Sequence, residues 1–276
     1  MAKKGDFCVK KGVKQWKYLC IAALCAIMLV FELIPALKAL PITADEAYNR
    51  LICHIFPLIA GSLAVYLIAT ESSIQLFKKP QKLWCLLPAM AIALNNFPWL
   101  AWSAGKMELI HTQPLHFALF GAYCLLIGFF EEVLFRGVVF ALIVSALEKT
   151  KKGLLWSYVL SSVVFGLIHL LNVFQSGGAA VLQAGYSILT GGLFAFVWMK
   201  TKNILFPSLI HAIYNFCGLL YTKDVGLGLG SVIDLPTGIM MAVIAVICGV
   251  FVLISVWKYD SDERKELYAR LGVKEA

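Results

Sequence analysis

Apolar stretches of about 20 residues recur along the chain, and a helix of that length is long enough to cross the hydrocarbon core of a bilayer. Hydrophobic residues occupy 61% of the 276 positions, whereas charged residues occupy only 14%. A soluble domain cannot bury so much apolar surface, so the composition indicates an integral membrane protein. We predict an all-α, polytopic protein that forms a single transmembrane domain over residues 1–276.

The predicted topology has about eight transmembrane helices joined by short loops. They lie roughly at 17–38, 51–70, 83–103, 115–147, 154–172, 179–199, 203–222 and 235–257. The fourth is longer than one crossing requires, which makes it a candidate for a break. After the last one, "SDERKELYARLG" predicts a short helix in which Glu266 and Arg270 lie one turn apart and Gly272 forms the C-cap.

Lysine and arginine are distributed unequally between alternate loops. Of the 24 basic residues, 19 lie on one side of the predicted helices, in the two tails and in the loops that contain Lys78, Lys151 and Lys202. The positive-inside rule places that side, and with it both termini, in the cytoplasm. The net charge of +8 then reflects this bias and the attraction of basic loops to anionic lipid, so we predict no nucleic-acid partner.

Three predicted helices in the second half contain polar or ionisable side chains, and a charge at mid-bilayer costs about 2.5–3.5 kcal/mol to insert. The first is "GFFEEVLFRG" (128–137), with Glu131, Glu132 and Arg136. Glu132 and Arg136 are four residues apart on one helix face, whereas Glu131 points about 100° away. We predict that Glu132 pairs with Arg136 and that Glu131 is free to act as a general base on water. Alternatively, all three form a buried ionic cluster that only holds helices together.

The other two segments are "VFGLIHLLN", with Phe165 and His169, and "SLIHAIYNF", with His211 and Asn215. A single histidine in an apolar helix is more often a packing residue, but three polar helices together favour a site. A carboxylate, two imidazoles and a carboxamide suit hydrolysis of an amide bond by activated water, with hydrogen bonds to the oxyanion. Two histidines and a carboxylate also match a zinc or iron site. Since HExxH is absent, we predict no metal and no cofactor.

Small residues recur at four-residue spacing in the sixth predicted helix, at Ser187, Gly191 and Ala195. Such a face allows helices to approach closely in lipid, so we predict helix packing there. A face of this kind can also line a substrate groove.

Three segments resemble the motifs of one protease family: "EEVLFR" (131–136), "FGLIH" (165–169) and "HAIYN" (211–215). They match EExxxR, FxxxH and HxxxN/D of the CPBP family of intramembrane, metal-independent glutamic proteases, also called the CAAX-protease, bacteriocin-processing or Abi family. The resemblance covers about residues 115–220, which we take as the catalytic core.

This resemblance implies a glutamate-dependent peptidase within an all-helical membrane core. Carried over by motif, Glu131 activates water, His169 is its partner on that water, and His211 and Asn215 stabilise the oxyanion. The supporting residues are Glu132, Arg136 and Phe165. No position of these motifs departs from the family pattern.

Family members differ in substrate, so the resemblance implies only a membrane-associated protein or peptide. Some members remove C-terminal tripeptides from prenylated proteins, and bacterial members act on leader peptides, bacteriocins or C-terminal sorting signals. The short chain favours the bacterial inner membrane, and no oligomeric state is predicted. A non-catalytic membrane scaffold or immunity factor and a transporter with the same fold remain alternatives, although a transporter should show paired discontinuous helices.

Overall fold

A computed structural model describes residues 42–172, 179–223, 225–229 and 235–273, together with residues 34, 37, 38 and 40. These ranges form helices and contain no β-strand, and their only β pairing consists of two isolated bridges. The predicted all-α class is therefore confirmed. The first predicted helix, 17–38, lies almost entirely outside the described residues.

The described helices are joined by short loops. In chain order they are α1 (Glu46–Glu71), α2 (Leu86–Asn95), α3 (Trp99–Ser103), α4 (Pro114–Glu132), α5 (Phe140–Ala146), α6 (Lys151–Ile168), α7 (Ala179–Thr201), α8 (Leu205–Leu219), α9 (Leu235–Trp257) and α10 (Ser261–Arg270). A 3₁₀ turn, Leu83–Cys85, precedes α2, and another, His169–Asn172, follows α6. A π-helical segment, Val133–Val139, joins α4 to α5.

Four described helices are long and apolar enough to cross a membrane: Glu46–Glu71, Lys151–Asn172, Ala180–Thr201 and Gly238–Trp257. Two apolar helices, Leu83–Asn95 and Leu205–Leu219, are shorter. Because the π-helical segment joins α4 to α5 without a loop, 114–146 is one helical rod, which agrees with the long fourth prediction. The chain is a polytopic membrane protein.

The predicted span 83–103 is interrupted. The helix that begins at Leu83 ends at Asn95, and a new short helix begins only at Trp99. Pro98 explains the break, because proline has no backbone N–H and disfavours the helical conformation of the residue before it, here Phe97. At about 1.5 Å per residue, the Leu83–Asn95 helix is roughly 20 Å long, which is shorter than the hydrocarbon core.

Basic loops that were predicted to share one side meet at one end of the bundle. The backbone N–H of Lys78 donates to the carbonyl of Lys202 over 3.0 Å. The hydroxyl of Tyr268, in α10, donates to the carbonyl of Thr150 at the start of α6 over 3.5 Å. We call this end of the bundle, where α1, α7 and α9 finish and α6 begins, the basic end.

The predicted short C-terminal helix is present as α10 and packs against the basic end. Gly272 follows it with φ +66, the left-handed conformation of a glycine C-cap. The pairing within the helix differs from the prediction: Glu266 contacts Nζ of Lys202 at 2.6 Å, and no ion pair links it to Arg270 in the described chain. Docking brings Lys202 to Glu266 and turns Arg270 toward the ring of Trp198.

We predict that the basic end faces the cytoplasm. Single cysteines at 78, 151, 202, 50 and 106, in a variant without reactive native thiols, can be labelled on intact cells with an impermeant thiol reagent. Positions 50 and 106 should react, and positions 78, 151 and 202 should react only after the membrane is permeabilised. Labelling of 151 and 202 on intact cells would overturn this topology.

Candidate active site

The glutamates lie near the middle of the helical rod 114–146. At about 1.5 Å per residue, Glu131 is roughly 25 Å from one end of the rod and roughly 22 Å from the other. One turn earlier, Gly128 allows α4 to approach α8 closely, since a Cβ there would lie 2.5 Å from the carbonyl oxygen of Ser208 and 3.0 Å from the nitrogen of Ala212. His211 therefore lies directly beside the two glutamates. The sequence analysis did not assign this role to Gly128.

Glu132 is completely buried and holds two partners. Its Oε2 lies 3.0 Å from Nε of Arg136, which is the predicted pair one helical turn apart. Its Oε1 lies 2.9 Å from Nδ1 of His211 on α8. A carboxylate only accepts, so Nδ1–H of the imidazole donates this bond. The contact to Arg136 is a close ion pair whose angle falls outside that of a hydrogen bond.

Arg136 lies within the π-helical segment and is 1% exposed. Its Nη2 donates to the carbonyl of Gly191 on α7 over 2.9 Å. The guanidinium carbon lies 4.3 Å from the ring centroid of Phe165 and 5.6 Å from that of Phe194. Aromatic faces attract a cation, so two rings, a carbonyl and a carboxylate surround the guanidinium in place of water. Its Nε and Nη1 have no hydrogen-bond partner among the described residues. Short π segments within α-helices occur frequently at functional sites.

Glu131 has a different environment from its neighbour. Its side chain is 24% exposed, and its Oε2 lies 3.7 Å from Nε2 of His211, too far for a hydrogen bond. Oε2 has no hydrogen-bond partner among the described residues. The structure thus separates one anchored carboxylate, on Glu132, from one freer carboxylate, on Glu131, as the helical positions predicted.

His211 lies between the two carboxylates, which the sequence analysis did not predict. Its ring is buried and stacks on Phe194, with centroids 4.7 Å apart and planes inclined by 24°. With Nδ1 bound to Glu132, the other nitrogen, Nε2, points toward Glu131. The second partner of a histidine fixes its tautomer and orientation, so Glu132 sets which nitrogen faces Glu131.

His169 and Asn215 lie farther from the carboxylates. His169 follows the last residue of α6 and is half-buried, and its Nδ1 donates to the carbonyl of Phe165 over 2.8 Å. It forms no ion pair with a carboxylate in the described ranges. Asn215 lies on α8 one turn after His211 and is half-buried, and its side chain forms no hydrogen bond to described residues. His169 is therefore linked to the residues around Arg136 through its contact with Phe165, and Asn215 through its position on the same helix as His211.

Glycines also bring α6 and α7 together. A Cβ at Gly191 would lie 2.7 Å from Cδ1 of Phe165, and one at Gly166 would lie 2.3 Å from Cγ1 of Ile188. The predicted small-residue face of α7 thus packs closely at Gly191. Phe194 was missed by the sequence analysis, because one apolar residue in an apolar helix gives no signal.

Within the described ranges, no three His, Cys, Asp or Glu side chains are arranged to hold a metal ion. Whether the protein works without a metal stays a prediction, which is tested below.

Comparison with known proteins concerns the segment that contains this cluster. Residues 113–217 match the sequence model of a family described as Type II CAAX prenyl endopeptidase Rce1-like. The match confirms the resemblance predicted from the three motifs. It begins one residue before α4 and ends within α8. Comparisons with curated proteins and with solved structures gave no match.

The Glu132–Arg136 pair should couple strongly in a double-mutant cycle. Glu132→Gln leaves Arg136 buried without its anion, which should destabilise the protein by about 3–5 kcal/mol. Adding Arg136→Met removes the orphaned charge and should restore part of that loss, so the two effects should not add. The measurement is thermal unfolding of the unchanged protein, the two single variants and the double variant in detergent. Glu71→Gln, at an exposed helix end, is the control and should change stability by less than about 0.5 kcal/mol. Additive effects would contradict the coupling.

Proposed function

We propose that residues 113–217, which we call the Rce1-like segment, form the catalytic core of an intramembrane endopeptidase. Its substrate is a membrane-associated protein or peptide, and one peptide bond is hydrolysed at the depth of Glu131. One observation supports this most: two adjacent carboxylates have opposite environments. Glu132 is bound on both oxygens, whereas Glu131 is partly exposed and has one unbound oxygen.

Glu131 is the general base in this proposal. A carboxylate that makes no ion pair closer than 3.7 Å can accept a hydrogen bond from water and then its proton. The hydroxide adds to the carbonyl carbon of the scissile peptide, and the carbonyl oxygen becomes an oxyanion. Glu132 cannot take this role without breaking its contacts to Arg136 and His211.

His169 is the second proton carrier. Because its Nδ1–H donates to the carbonyl of Phe165, the neutral ring has its lone pair on Nε2. That nitrogen can accept a hydrogen bond from the attacking water when substrate is bound. It then takes from Glu131 the proton that the water lost and passes it to the leaving nitrogen as the C–N bond breaks, which returns Glu131 to the carboxylate. His169 and Glu131 do not touch in the described structure, so this step requires that water bridge them or that the substrate draw them together.

His211 and Asn215 stabilise the oxyanion. Nδ1–H of His211 is held by Glu132, so Nε2 is the nitrogen left to face the substrate. In this proposal Nε2 donates to the oxyanion when it carries a proton. Asn215 has an uncommitted amide one turn further along α8.

The family description names the substrate class of its members, and we extend it to this chain as a proposal. The description names an endopeptidase for prenylated CAAX sequences, and we propose that a substrate of this class reaches Glu131 from the membrane. A site roughly 22–25 Å from either end of the rod fits a substrate that is delivered through the bilayer.

Glu131→Gln should abolish cleavage while the protein stays folded. The amide keeps the size of the side chain but cannot take a proton, and loss of a general base costs about 10²–10⁴-fold in rate. The measurements are cleavage of prenylated and unprenylated CAAX peptides by purified protein, protein termini in membrane fractions of cells that express either form, and melting temperature. Glu71→Gln is the matched control. Retained cleavage by Glu131→Gln would contradict the proposed role of Glu131 as general base.

Activity should survive exhaustive chelation. The proposed water activation uses Glu131 and His169 only, so the rate with a strong chelator should equal the untreated rate. The measurements are peptide cleavage and elemental analysis of the purified protein. Stoichiometric zinc, with activity lost on removal and regained on addition, would favour the alternative in which Glu131, His169 and His211 are ligands.

A further inference from the structure

A small pocket lies between α10 and the basic end of the bundle, remote from the proposed active site. Four cationic side chains line it together with two carboxylates: Lys82, Lys200, Lys202, Arg270, Glu263 and Glu266. The lining therefore has two more positive than negative charges. We call it the basic pocket.

Each carboxylate of the basic pocket is shared by two lysines. Glu263 contacts Lys82 and also Lys200, the latter at 2.9 Å. Glu266 contacts Lys202 at 2.6 Å and Lys78 at 3.7 Å. The hydrogen bond from Lys202 lowers the pKa of Glu266, so this carboxylate is ionised at neutral pH. Sharing leaves the lysines only partly neutralised.

Arg270 makes no close ion pair with a carboxylate of the described residues, although Glu266 acts on it electrostatically at longer range. It is 1% exposed, and neither Nε nor Nη2 has a hydrogen-bond partner among the described residues. Burial lowers its pKa to about 10, which still leaves it charged at neutral pH. The ring of Trp198 lies 4.9 Å from the guanidinium carbon. A buried cation with unused donors is costly unless an anion binds it.

The position of the pocket indicates where that anion comes from. Lys200 and Lys202 lie at the end of the candidate membrane span Ala180–Thr201, and α10 begins soon after the span Gly238–Trp257 ends. Tyr259 lines the pocket at the same level and donates to the carbonyl of Met199. Basic pockets at the ends of spanning helices, with aromatic side chains nearby, lie at the depth of lipid headgroups.

We propose that the basic pocket binds an anionic phosphate group through Arg270, Lys202 and Lys82. Arginine presents a planar fork of donors that matches two oxygens of a phosphate, and lysine adds point charge. The phosphate competes with Glu266 for Lys202. Either the headgroup of an anionic lipid or a free phosphate ion has this chemistry. The pocket shares no side chain with the proposed catalytic cluster, so this proposal does not depend on the proposed function.

The test is binding to the full-length protein purified in an uncharged detergent. In one arm, phosphatidylglycerol is titrated as mixed micelles and compared with phosphatidylcholine of the same acyl chains. In the other arm, inorganic phosphate is compared with chloride at equal ionic strength. A ligand that binds only the folded state raises the melting temperature in a saturable way. A shift with phosphatidylglycerol alone identifies a lipid headgroup site, and a shift with inorganic phosphate identifies a site for the free ion. No saturable shift with either probe overturns the proposal.

Three variants separate the pocket from general surface charge. Arg270→Met and Lys202→Gln should each weaken binding about tenfold or more, the cost of one charge-assisted hydrogen bond. Lys258→Gln removes an exposed cation at the same end of the bundle and should leave binding unchanged. Equal weakening by Lys258→Gln would show that the interaction is a general charge effect and would overturn the pocket.

Glu266→Gln gives a prediction of opposite sign. It frees Lys202 and Lys78, so the unliganded protein should melt at a lower temperature while phosphate binds more tightly. If the ion pairs of Glu266 only hold α10 against the bundle, the melting temperature and the affinity for phosphate should both fall. That result would contradict the proposal. This variant and Lys202→Gln decide the question even if Arg270→Met does not fold.

Discussion

The buried guanidinium of Arg136 is the constraint on which the rest of the site depends. A buried cation must be surrounded by groups that replace water, and here these groups come from three helical segments of the chain. Glu132 supplies charge from the same rod, Gly191 supplies a carbonyl from α7, and Phe165 supplies an aromatic face from α6. Because Glu132 also binds His211, the same network fixes an imidazole on α8.

Short polar contacts between helices require close backbones, and glycine provides them at two places. Gly128 lets α4 lie against α8 at the level of the glutamates, and Gly191 lets α7 lie against Phe165. A larger residue at either place would move the helices apart, and contacts near 2.9 Å such as Glu132–His211 would lengthen. Packing between apolar helices and the polar geometry of the site therefore depend on the same small residues.

The sequence predicted features that depend on a single helix, but it did not predict contacts between side chains of two different helices. Periodicity and hydropathy predicted the helices, and a spacing of four residues predicted the Glu132–Arg136 contact. Helical geometry gives directions around one axis but not the height or rotation of a neighbouring helix. For that reason the position of His211 between both glutamates, and the docking of α10 onto Lys202, were not predicted. Pro98 could have predicted the break before it, but the continuous apolar residues of 83–103 favoured a single helix.

The two adjacent glutamates illustrate how one sequence dipeptide yields two chemical environments. A rotation of about 100° turns Glu132 inward, toward Arg136, and leaves the side chain of Glu131 partly exposed. Helix α7 then connects this site to the basic pocket. Gly191 contacts Arg136, and Lys200, nine residues later on the same helix, lines the pocket, roughly 14 Å away at about 1.5 Å per residue. The helix is shared, but no side chain is. An anion at the basic pocket can therefore stabilise the end of α7 without entering the chemistry that we propose for Glu131.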